Sequence, residues 1–219
     1  MLKEACCLCG NHNPRVFFSW QSNFGERDFL HCPDCGISFV PKKFHPSLAE
    51  EKSRYEKHNN DIHDEGYRSF LRNLTDEMMR RIVPSSKGLD YGAGPGPALV
   101  NMMREHGFDM TLYDPLFHPD ESVLEYQYDF ITCTETVEHF RQPMREFRRL
   151  DSLLKHEGWL GIMTGMVENL DGFPEWHYHR DITHICFFSE KTFRWLADKM
   201  RWHVEFPRRN IVLFKSSSL

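Results

Sequence analysis

Three alternate glycines and two carboxylates form the stretch of this chain whose residue types best suit ligand binding. Gly92, Gly94 and Gly96 follow an apolar run that ends on Asp90, and the next apolar run ends on Asp114. Glycines let a backbone turn sharply and approach a ligand closely, and a carboxylate accepts hydrogen bonds from ribose hydroxyls. A strand, a glycine turn, a helix and an acid on the next strand together predict a nucleoside site.

The spacing of these glycines limits the class of nucleotide that the site can bind. A dinucleotide site follows Gly-x-Gly-x-x-Gly, whereas here the glycines alternate and Pro95 and Pro97 stiffen the turn. The lysine and hydroxyl residue of a triphosphate-binding loop are absent. The pattern Asp-x-Gly-x-Gly-x-Gly resembles the first motif of class I S-adenosylmethionine-dependent methyltransferases. Residues 128–135 resemble the fourth strand of that family, and the resemblance covers roughly residues 62–215.

The resemblance implies an α/β fold with a doubly wound, mostly parallel, Rossmann-like sheet. It also implies that S-adenosylmethionine contacts the first motif and the ends of two neighbouring strands, at Asp90, Gly92, Ala93, Gly94, Pro95, Gly96, Asp114, Thr134 and Glu135. The chain departs from the family between Asp114 and Tyr128, where the third-strand region is shortened. We interpret residues 123–126 as a stub of that strand and expect Leu116, Phe117 or Tyr126 to hold the adenine.

A Glu-x-x-Glu-His pattern leaves the fourth strand at Glu135, Glu138 and His139. It resembles ubiquinone-pathway O-methyltransferases and small-RNA 3′-end 2′-O-methyltransferases; in the latter it binds a divalent ion together with a later histidine. His184 supplies such a histidine here, so one alternative is a second, divalent metal that acidifies a substrate hydroxyl. In the other alternative, Glu138 and His139 form a buried hydrogen-bonded pair and His184 lies against the substrate. Either way, the predicted catalytic residues are Glu138, His139 and His184.

Residues 173–181 lie where class I enzymes usually build the acceptor pocket. Trp176, His177, Tyr178 and Arg180 suit a planar or anionic acceptor, and aromatic packing under a lid is the alternative. Further candidates to line the cofactor pocket lie before the first strand of the methyltransferase domain: Tyr55, His58, Asn59 and Arg68. The alternative for each of them is a solvent-exposed position on a helix.

Two Cys-x-x-Cys-Gly turns near the N-terminus predict a metal site. Their cysteines are Cys6, Cys9, Cys32 and Cys35, and four thiolates complete a tetrahedral zinc site with no open position. The segments between them read as short strands, so we predict a structural zinc ribbon in which the metal supplies much of the folding free energy. Cys7 is the spare thiol, and disulfides are the alternative pairing.

Helical periodicity and capping residues predict the elements that position these groups. The predicted helices span 48–57, 62–83, 98–106 and 143–156, and Ser189 begins a last one; a strand at 159–164 and a closing hairpin at 203–206 and 211–214 complete the sheet. The arginines at 145, 148 and 149 are expected on a solvated helix face. We divide the chain into a zinc ribbon with linker (1–43) and a methyltransferase domain with a helical lead-in (44–219).

The composition of the chain limits the kinds of molecule that it is expected to bind. The formal net charge of −5 argues against a broad nucleic-acid footprint, and no apolar run is long enough for a membrane span, so we expect a cytoplasmic enzyme. The predicted acceptor is a small molecule, free or carrier-bound. One alternative is an RNA methyltransferase with a basic face spanning Lys42, Lys43 and residues 145–149. A second is a non-catalytic module that binds the cofactor; the sequence does not predict the oligomeric state.

Overall fold

The computed structural model describes residues 4–22, 25–56 and 61–217. His58 and Asn59, predicted to line the cofactor pocket, lie outside the described residues. None of the helices in the described ranges is long and apolar enough to cross a membrane. The strands are β1 (Arg15–Ser22), β2 (Gly25–His31), β3 (Ser38–Phe39), β4 (Lys87–Tyr91), β5 (Asp109–Tyr113), β6 (Tyr128–Thr134), β7 (Leu154–Met163), β8 (Cys186–Phe187), β9 (Trp202–Arg208) and β10 (Ile211–Ser216).

Six of these strands form the central sheet in the order β5-β4-β6-β7-β10-β9. The first four strands are parallel, and β10 pairs antiparallel with both β7 and β9. Parallel strands need crossover connections, and helices supply them on both faces of the sheet. The observed sheet confirms the predicted doubly wound, mostly parallel α/β arrangement and its closing hairpin.

The described residues contain five α-helices: α1 (Leu48–Tyr55), α2 (Glu65–Met79), α3 (Ala98–Glu105), α4 (Pro143–Leu153) and α5 (Glu190–Met200). Apolar residues at helical spacing bury one stripe of each long helix. Leu71, Leu74 and Met78 of α2 pack with α3 in one core cluster, whereas α4 and α5 contribute Phe147 and Phe193 to another. Ser189 caps α5 through a reciprocal bond pair with Thr192, as its position predicts.

Several predicted boundaries are wrong. The helix that begins at Pro143 ends at Leu153 rather than at residue 156, and β7 starts at Leu154 rather than at Trp159. The interpretation of residues 123–126 as a strand stub is also wrong. Residues Glu121–Glu125 form a 3₁₀ turn that begins where the Asp120 side chain accepts from the backbone N–H of Ser122. This local capping bond favours a turn over an extended segment.

The remaining strands form a second sheet in the order β1-β2-β3-β8. The hairpin β1–β2 and strand β3 come from the N-terminal cysteine-rich segment, but β8 belongs to the segment just before α5. Ser38 pairs with Phe187 and Phe39 with Cys186 in antiparallel register. The N-terminal segment therefore shares a sheet with a loop of the larger domain. The division of the chain at residue 43 stays a prediction.

Candidate active site

A cavity of about 930 Å³ opens at the carboxyl ends of β4, β5 and β6. Ligands of open α/β sheets bind at this edge because the strand ends and the following loops meet there. The cavity has two ends. At one lie residues 90–96 and 113–117, which we call the cofactor end. At the other, which we call the acceptor end, lie Tyr55 and residues of the loops after β6 and β7, including Glu135, His139, Tyr178 and His184.

The glycine turn takes a backbone shape that other residues rarely adopt. Gly92 has φ of 83° and Gly94 has φ of 63°, both in the left-handed region. The N–H groups of Gly92 and Ala93 donate to the carbonyl of Tyr113, at 2.8 and 3.1 Å, which ties the turn to the end of β5. A Cβ at Gly92 would lie 2.2 Å from the methyl carbon of Thr136. Gly92 is therefore required by both conformation and close approach.

Asp114 organises the second half of the cofactor end. One carboxylate oxygen accepts from the N–H of Gly94 at 3.0 Å, and the other accepts from the N–H groups of Leu116 and Phe117, at 2.8 and 3.1 Å. A carboxylate offers about four lone-pair sites. Three backbone donors occupy three of them, so a fourth stays available for a ligand hydroxyl. Asp114 thus joins the glycine turn to the loop after β5.

Asp90 is a buried acid at the end of β4. Its side chain is 5% exposed and accepts from the Thr132 hydroxyl at 2.7 Å. Burial raises the pKa of Asp90 to about 7, and the negative charge of Asp114 adds to this, although the Thr132 donor opposes both. A carboxyl with this pKa can both accept and donate near neutral pH.

Of the residues predicted to hold adenine, Leu116 and Phe117 line the cavity and Tyr126 does not. Tyr126 lies just after the 3₁₀ turn and is 64% exposed, so that prediction is wrong. Arg68, a predicted lining residue, also lies elsewhere, because it pairs with Glu105 on α3. Tyr55 does line the cavity, and its ring meets that of His139 with 5.2 Å between centroids.

Glu135 begins the acceptor end in a strained conformation. Its φ is 46°, an uncommon value for a residue with a Cβ, and its N–H donates to Met163 at 2.8 Å. The Tyr178 hydroxyl lies 3.1 Å from its carboxylate. Burial raises the pKa of Glu135 to about 8, and the neighbouring charge of Glu138 adds to this. Strain of this kind is retained where the surrounding structure fixes a functional group.

Glu138 is fully buried beside Glu135. One of its oxygens accepts from the Thr164 hydroxyl at 2.9 Å, and the other accepts a short bond from the hydroxyl of Tyr178. The predicted hydrogen-bonded pair of Glu138 with His139 is wrong, because each side chain is engaged with another partner. Glu138 instead shares the Tyr178 hydroxyl with Glu135, so one phenol joins two carboxylates.

His139 and His184 face each other with 4.9 Å between ring centroids. Nδ1 of His139 lies 2.9 Å from the carbonyl of Thr183, and Nδ1 of His184 lies 2.8 Å from that of Tyr178. A carbonyl oxygen only accepts, so both Nδ1 atoms carry hydrogen, and the neutral form of either ring has its lone pair on Nε2. Burial lowers the pKa of His184 to about 4, although the charge of Glu138 opposes this.

The three predicted catalytic residues are therefore brought together. Glu138, His139 and His184 each offer a ligand atom within 4.8 Å of the others. His177 and Arg180 also line the cavity, whereas Trp176 supports it from behind by stacking on Tyr178, with 4.9 Å between centroids.

Other functional positions were missed at the sequence level. Arg149, expected on a solvated face, lines the cavity and donates to the Tyr91 hydroxyl at 3.2 Å, and Thr164 holds Glu138. Thr164 directly follows β7 at the carboxyl edge of the sheet, which is a signal that could have identified it. No comparable signal marks Arg149, because its place depends on how α4 packs.

The four predicted cysteine ligands lie together, two from the segment before β1 and two from the turn between β2 and β3. The Sγ atoms of Cys6 and Cys35 are 3.6 Å apart, as are those of Cys9 and Cys32, and all four lie within 4.8 Å of one another. A tetrahedron with zinc–sulfur bonds of about 2.3 Å has sulfur atoms about 3.8 Å apart. These thiols thus fit a zinc ion. Cys7 lies outside the group, 4.0 Å from the sulfur of Cys186.

Known proteins agree with this architecture. A family model described as a methyltransferase domain matches residues 63–205, which is more than half of the chain. Among curated protein sequences none matches. The fold is similar to that of Burkholderia thailandensis 1,6-didemethyltoxoflavin-N1-methyltransferase, solved with 1,6-didemethyltoxoflavin and S-adenosylhomocysteine. That similarity has a TM-score of 0.53 at 13% identity and covers 86% of this chain and 99% of the other.

A second similar structure is CalO1, a methyltransferase of calicheamicin biosynthesis solved with S-adenosylhomocysteine bound. It aligns with a TM-score of 0.50 at 12% identity, over 68% of this chain and 54% of its own. At such identities the likeness concerns the fold. The family match carries the assignment: the chain belongs to the methyltransferase domain family and is a methyltransferase, and its fold is similar to that of enzymes solved with S-adenosylhomocysteine.

Proposed function

We propose that the enzyme moves a methyl group from S-adenosylmethionine to a small molecule, free or carrier-bound, seated at the acceptor end. The observation that carries this proposal is one continuous cavity whose cofactor end leads to the buried Glu138 and the two imidazoles of His139 and His184. Its volume of about 930 Å³ is near the top of the range of about 300–1,000 Å³ for small-molecule pockets. Such a space suits a cofactor with a small partner better than a polymer.

At the cofactor end, the glycine turn and Asp114 are proposed to hold the nucleoside. The free lone pair of Asp114 would accept from a ribose hydroxyl, and Leu116 and Phe117 would flank the adenine. The remaining predicted contacts, Asp90, Thr134 and Glu135, also line the cavity. S-Adenosylmethionine supplies an activated methyl group on a sulfonium, so the protein's main task is alignment and exclusion of water.

At the acceptor end, the proposed catalytic residues handle the acceptor's proton. A base is required only when the attacking atom carries hydrogen at working pH. His139 and His184 have lone pairs on Nε2, and the low pKa of His184 keeps its ring neutral at physiological pH. Either imidazole can take a proton from a hydroxyl or amine. Glu138, fixed by Thr164 and Tyr178, would then stabilise the imidazolium that forms.

A divalent metal at the same three residues is the second candidate, favoured by one observation. A carboxyl oxygen of Glu138 and one ring nitrogen of each of the two histidines lie within 4.8 Å of one another. Both rings also bond a backbone carbonyl through Nδ1, and bonds of this kind are the usual support for metal-bound histidines. The residues fit a cation that would bind and acidify an acceptor hydroxyl. Metal analysis before and after chelation separates the two candidates. A second metal, beyond one zinc per chain, whose removal stops turnover would favour this one.

The cysteine cluster is proposed to bind structural zinc, since four thiolates leave no position for a substrate. The RNA alternative has less support. It requires Lys42, Lys43 and residues 145–149 to form one basic face, but Lys43 lies near Asp28 and Arg149 lines the cavity. Salt-insensitive turnover would agree with a small acceptor, because binding to nucleic acid weakens steeply with salt.

The proposal is tested by screening candidate acceptors with release of S-adenosylhomocysteine as the readout. We expect turnover with at least one hydroxyl-, amine- or carbon-nucleophile class, and loss of that turnover in His139→Ala and His184→Ala proteins that still bind S-adenosylhomocysteine. Calorimetry with S-adenosylhomocysteine supplies the control. Absence of binding by the folded wild-type protein would contradict the proposal at its first step.

A further inference from the structure

One buried arginine of the N-terminal segment holds the loop that carries Tyr178 and His184. We refer to residues 178–184 as the acceptor loop. Arg27 lies on β2 and is 6% exposed. Its guanidinium donates to four backbone carbonyls of the acceptor loop, at 3.3, 3.0, 3.1 and 2.5 Å: those of His179, Asp181, Ile182 and His184.

The geometry requires an arginine. A planar guanidinium has five N–H donors in a fixed fork, whereas a lysine ammonium has three donors on a single nitrogen. Burial lowers the pKa of Arg27 to about 10, so the group still carries its charge at neutral pH. The charge is compensated by the four carbonyl dipoles and by the Phe29 ring, whose centroid lies 5.3 Å from Cζ. Without these donors, carbonyls in a partly buried loop would lack partners.

Ile185, the residue directly after the acceptor loop, is bonded both to the N-terminal segment and to the loop after β6. The N–H of Val40 donates to the carbonyl of Ile185, and the N–H of Ile185 donates to the carbonyl of Glu138, both at 2.9 Å. Beneath the loop, the fully buried His179 ring packs within 5.5 Å of Phe29 and stacks on Phe173. The position of His184 relative to Glu138 therefore depends on β2 and β3 as well as on the catalytic domain.

We propose that Arg27 is a positioning residue for methyl transfer. It holds the acceptor loop in the one conformation that keeps the Tyr178 hydroxyl on Glu138 and the His184 ring beside His139. Arg27 does not border the cavity, so its effect passes through the loop rather than through contact with a ligand. The catalytic consequence rests on the proposed function, but the order of the loop can be measured without any acceptor.

The test compares Arg27→Lys and Arg27→Ala with Arg15→Ala, which removes an exposed arginine from the same hairpin. Hydrogen exchange detected by mass spectrometry reports on residues 178–185, and calorimetry with S-adenosylhomocysteine reports on the cofactor end. We expect exchange of the acceptor loop to accelerate at least about tenfold in both Arg27 variants. Affinity for S-adenosylhomocysteine, exchange of β6 and the zinc content should stay at wild-type values, and Arg15→Ala should change nothing.

Chemical rescue separates positioning from general destabilisation. Added guanidinium ion at millimolar concentration should restore slow exchange of the loop in Arg27→Ala, because it replaces the missing donors. Wild-type loop exchange in a folded Arg27→Lys protein would overturn the proposal. So would equally faster exchange in β6. If Arg27→Ala does not fold, Arg27→Lys decides the outcome. Failure of the wild type to bind S-adenosylhomocysteine would overturn the proposed function while leaving the exchange result valid.

Once the screen has identified an acceptor, kcat and KM of the Arg27 variants can be measured. The Arg27 variants should lose kcat at least about tenfold while the KM for S-adenosylmethionine stays within a factor of about two. An equal loss through the KM of the cofactor would contradict a role confined to the acceptor end.

Discussion

The two ends of the cavity are built in different ways. The cofactor end uses backbone groups from two short segments, 90–96 and 113–117, joined by the Asp114 carboxylate. The acceptor end uses side chains from separate parts of the chain, which Arg27 and Tyr178 hold together. A backbone site needs a particular local conformation, whereas a side-chain site needs several elements in register. Changes at the first should therefore act on cofactor affinity, and changes at the second on loop order and turnover.

Loss of the proposed zinc site should give the largest effect and should separate the two ends most clearly. We expect Cys32→Ser to abolish zinc binding and to destabilise the N-terminal sheet, since structural zinc contributes on the order of 10 kcal/mol of binding free energy. Hydrogen exchange should then accelerate in β1–β3 and residues 178–187, with little change in β4–β6. Cys7→Ser is the matched control, because Cys7 lies outside the cysteine cluster. Equal exchange in both variants would show that the cluster holds no structural metal.

Asp90→Asn tests whether the buried acid Asp90 lowers the stability of the folded protein near neutral pH. The folded-state pKa of Asp90 is raised to about 7, above an unfolded value of about 3.9. Its protonation therefore stabilises the fold fully below about pH 4, and this contribution is lost as pH rises through about 7. Relative to wild type, the unfolding free energy of Asp90→Asn should rise between pH 4 and 7, by up to about 4 kcal/mol. Urea titrations at several pH values measure this difference, and a pH-independent difference would contradict the raised pKa.

Gly92→Ala should weaken the cofactor end alone. The new Cβ would collide with Thr136, and the left-handed backbone would be strained, so we expect affinity for S-adenosylhomocysteine to fall about 100-fold. Gly107→Ala is an unusually close control. Gly107 has the same φ of 83°, and a Cβ there would meet nothing within 4 Å. Equal losses of affinity in the two variants, measured by calorimetry, would place the effect in folding rather than in the turn.

Tyr178→Phe should have the smallest of these effects, and it should lower turnover without changing cofactor affinity. It removes the hydroxyl that bonds Glu138 and lies 3.1 Å from the Glu135 carboxyl group, so Glu138 loses one of its hydrogen-bond donors. We expect turnover to fall about tenfold with cofactor affinity unchanged. Tyr128→Phe serves as the control, because the Tyr128 hydroxyl bonds the carbonyl of Val123 away from the acceptor end. A loss of cofactor affinity as large as the loss of turnover would contradict the separation of the two ends.

Much of the cofactor end could be predicted because its information is local. Alternating glycines followed by a helix, and an acid after the next apolar run, specify a turn that few other sequences can adopt. The strand interpretation of residues 123–126 failed for an equally local reason, since the Asp120 cap competes with extended structure. Of the three residues offered for the adenine, Tyr126 is the one that does not line the cavity.

At the acceptor end, the sequence predicted which residues are present but not which hydrogen bonds they make. Glu138, His139 and His184 were identified from their types and order, yet the expected Glu138–His139 bond is replaced by bonds to Tyr178, Thr164 and the Thr183 carbonyl. Arg27 occupies an inward-facing position of β2, the same strand that buries Phe29. A charged residue at such a position is unusual, but the sequence alone does not show that its partners lie in a loop some 150 residues later.

The sequence by itself determined the class of fold, the glycine turn and the grouping of four cysteines, because each depends on spacing within short segments. Only the tertiary structure decided that β3 pairs with β8 and that Arg27 reaches the acceptor loop. Such long-range contacts follow from how separate elements pack, and burial of a charged side chain is possible only where distant carbonyls supply its partners.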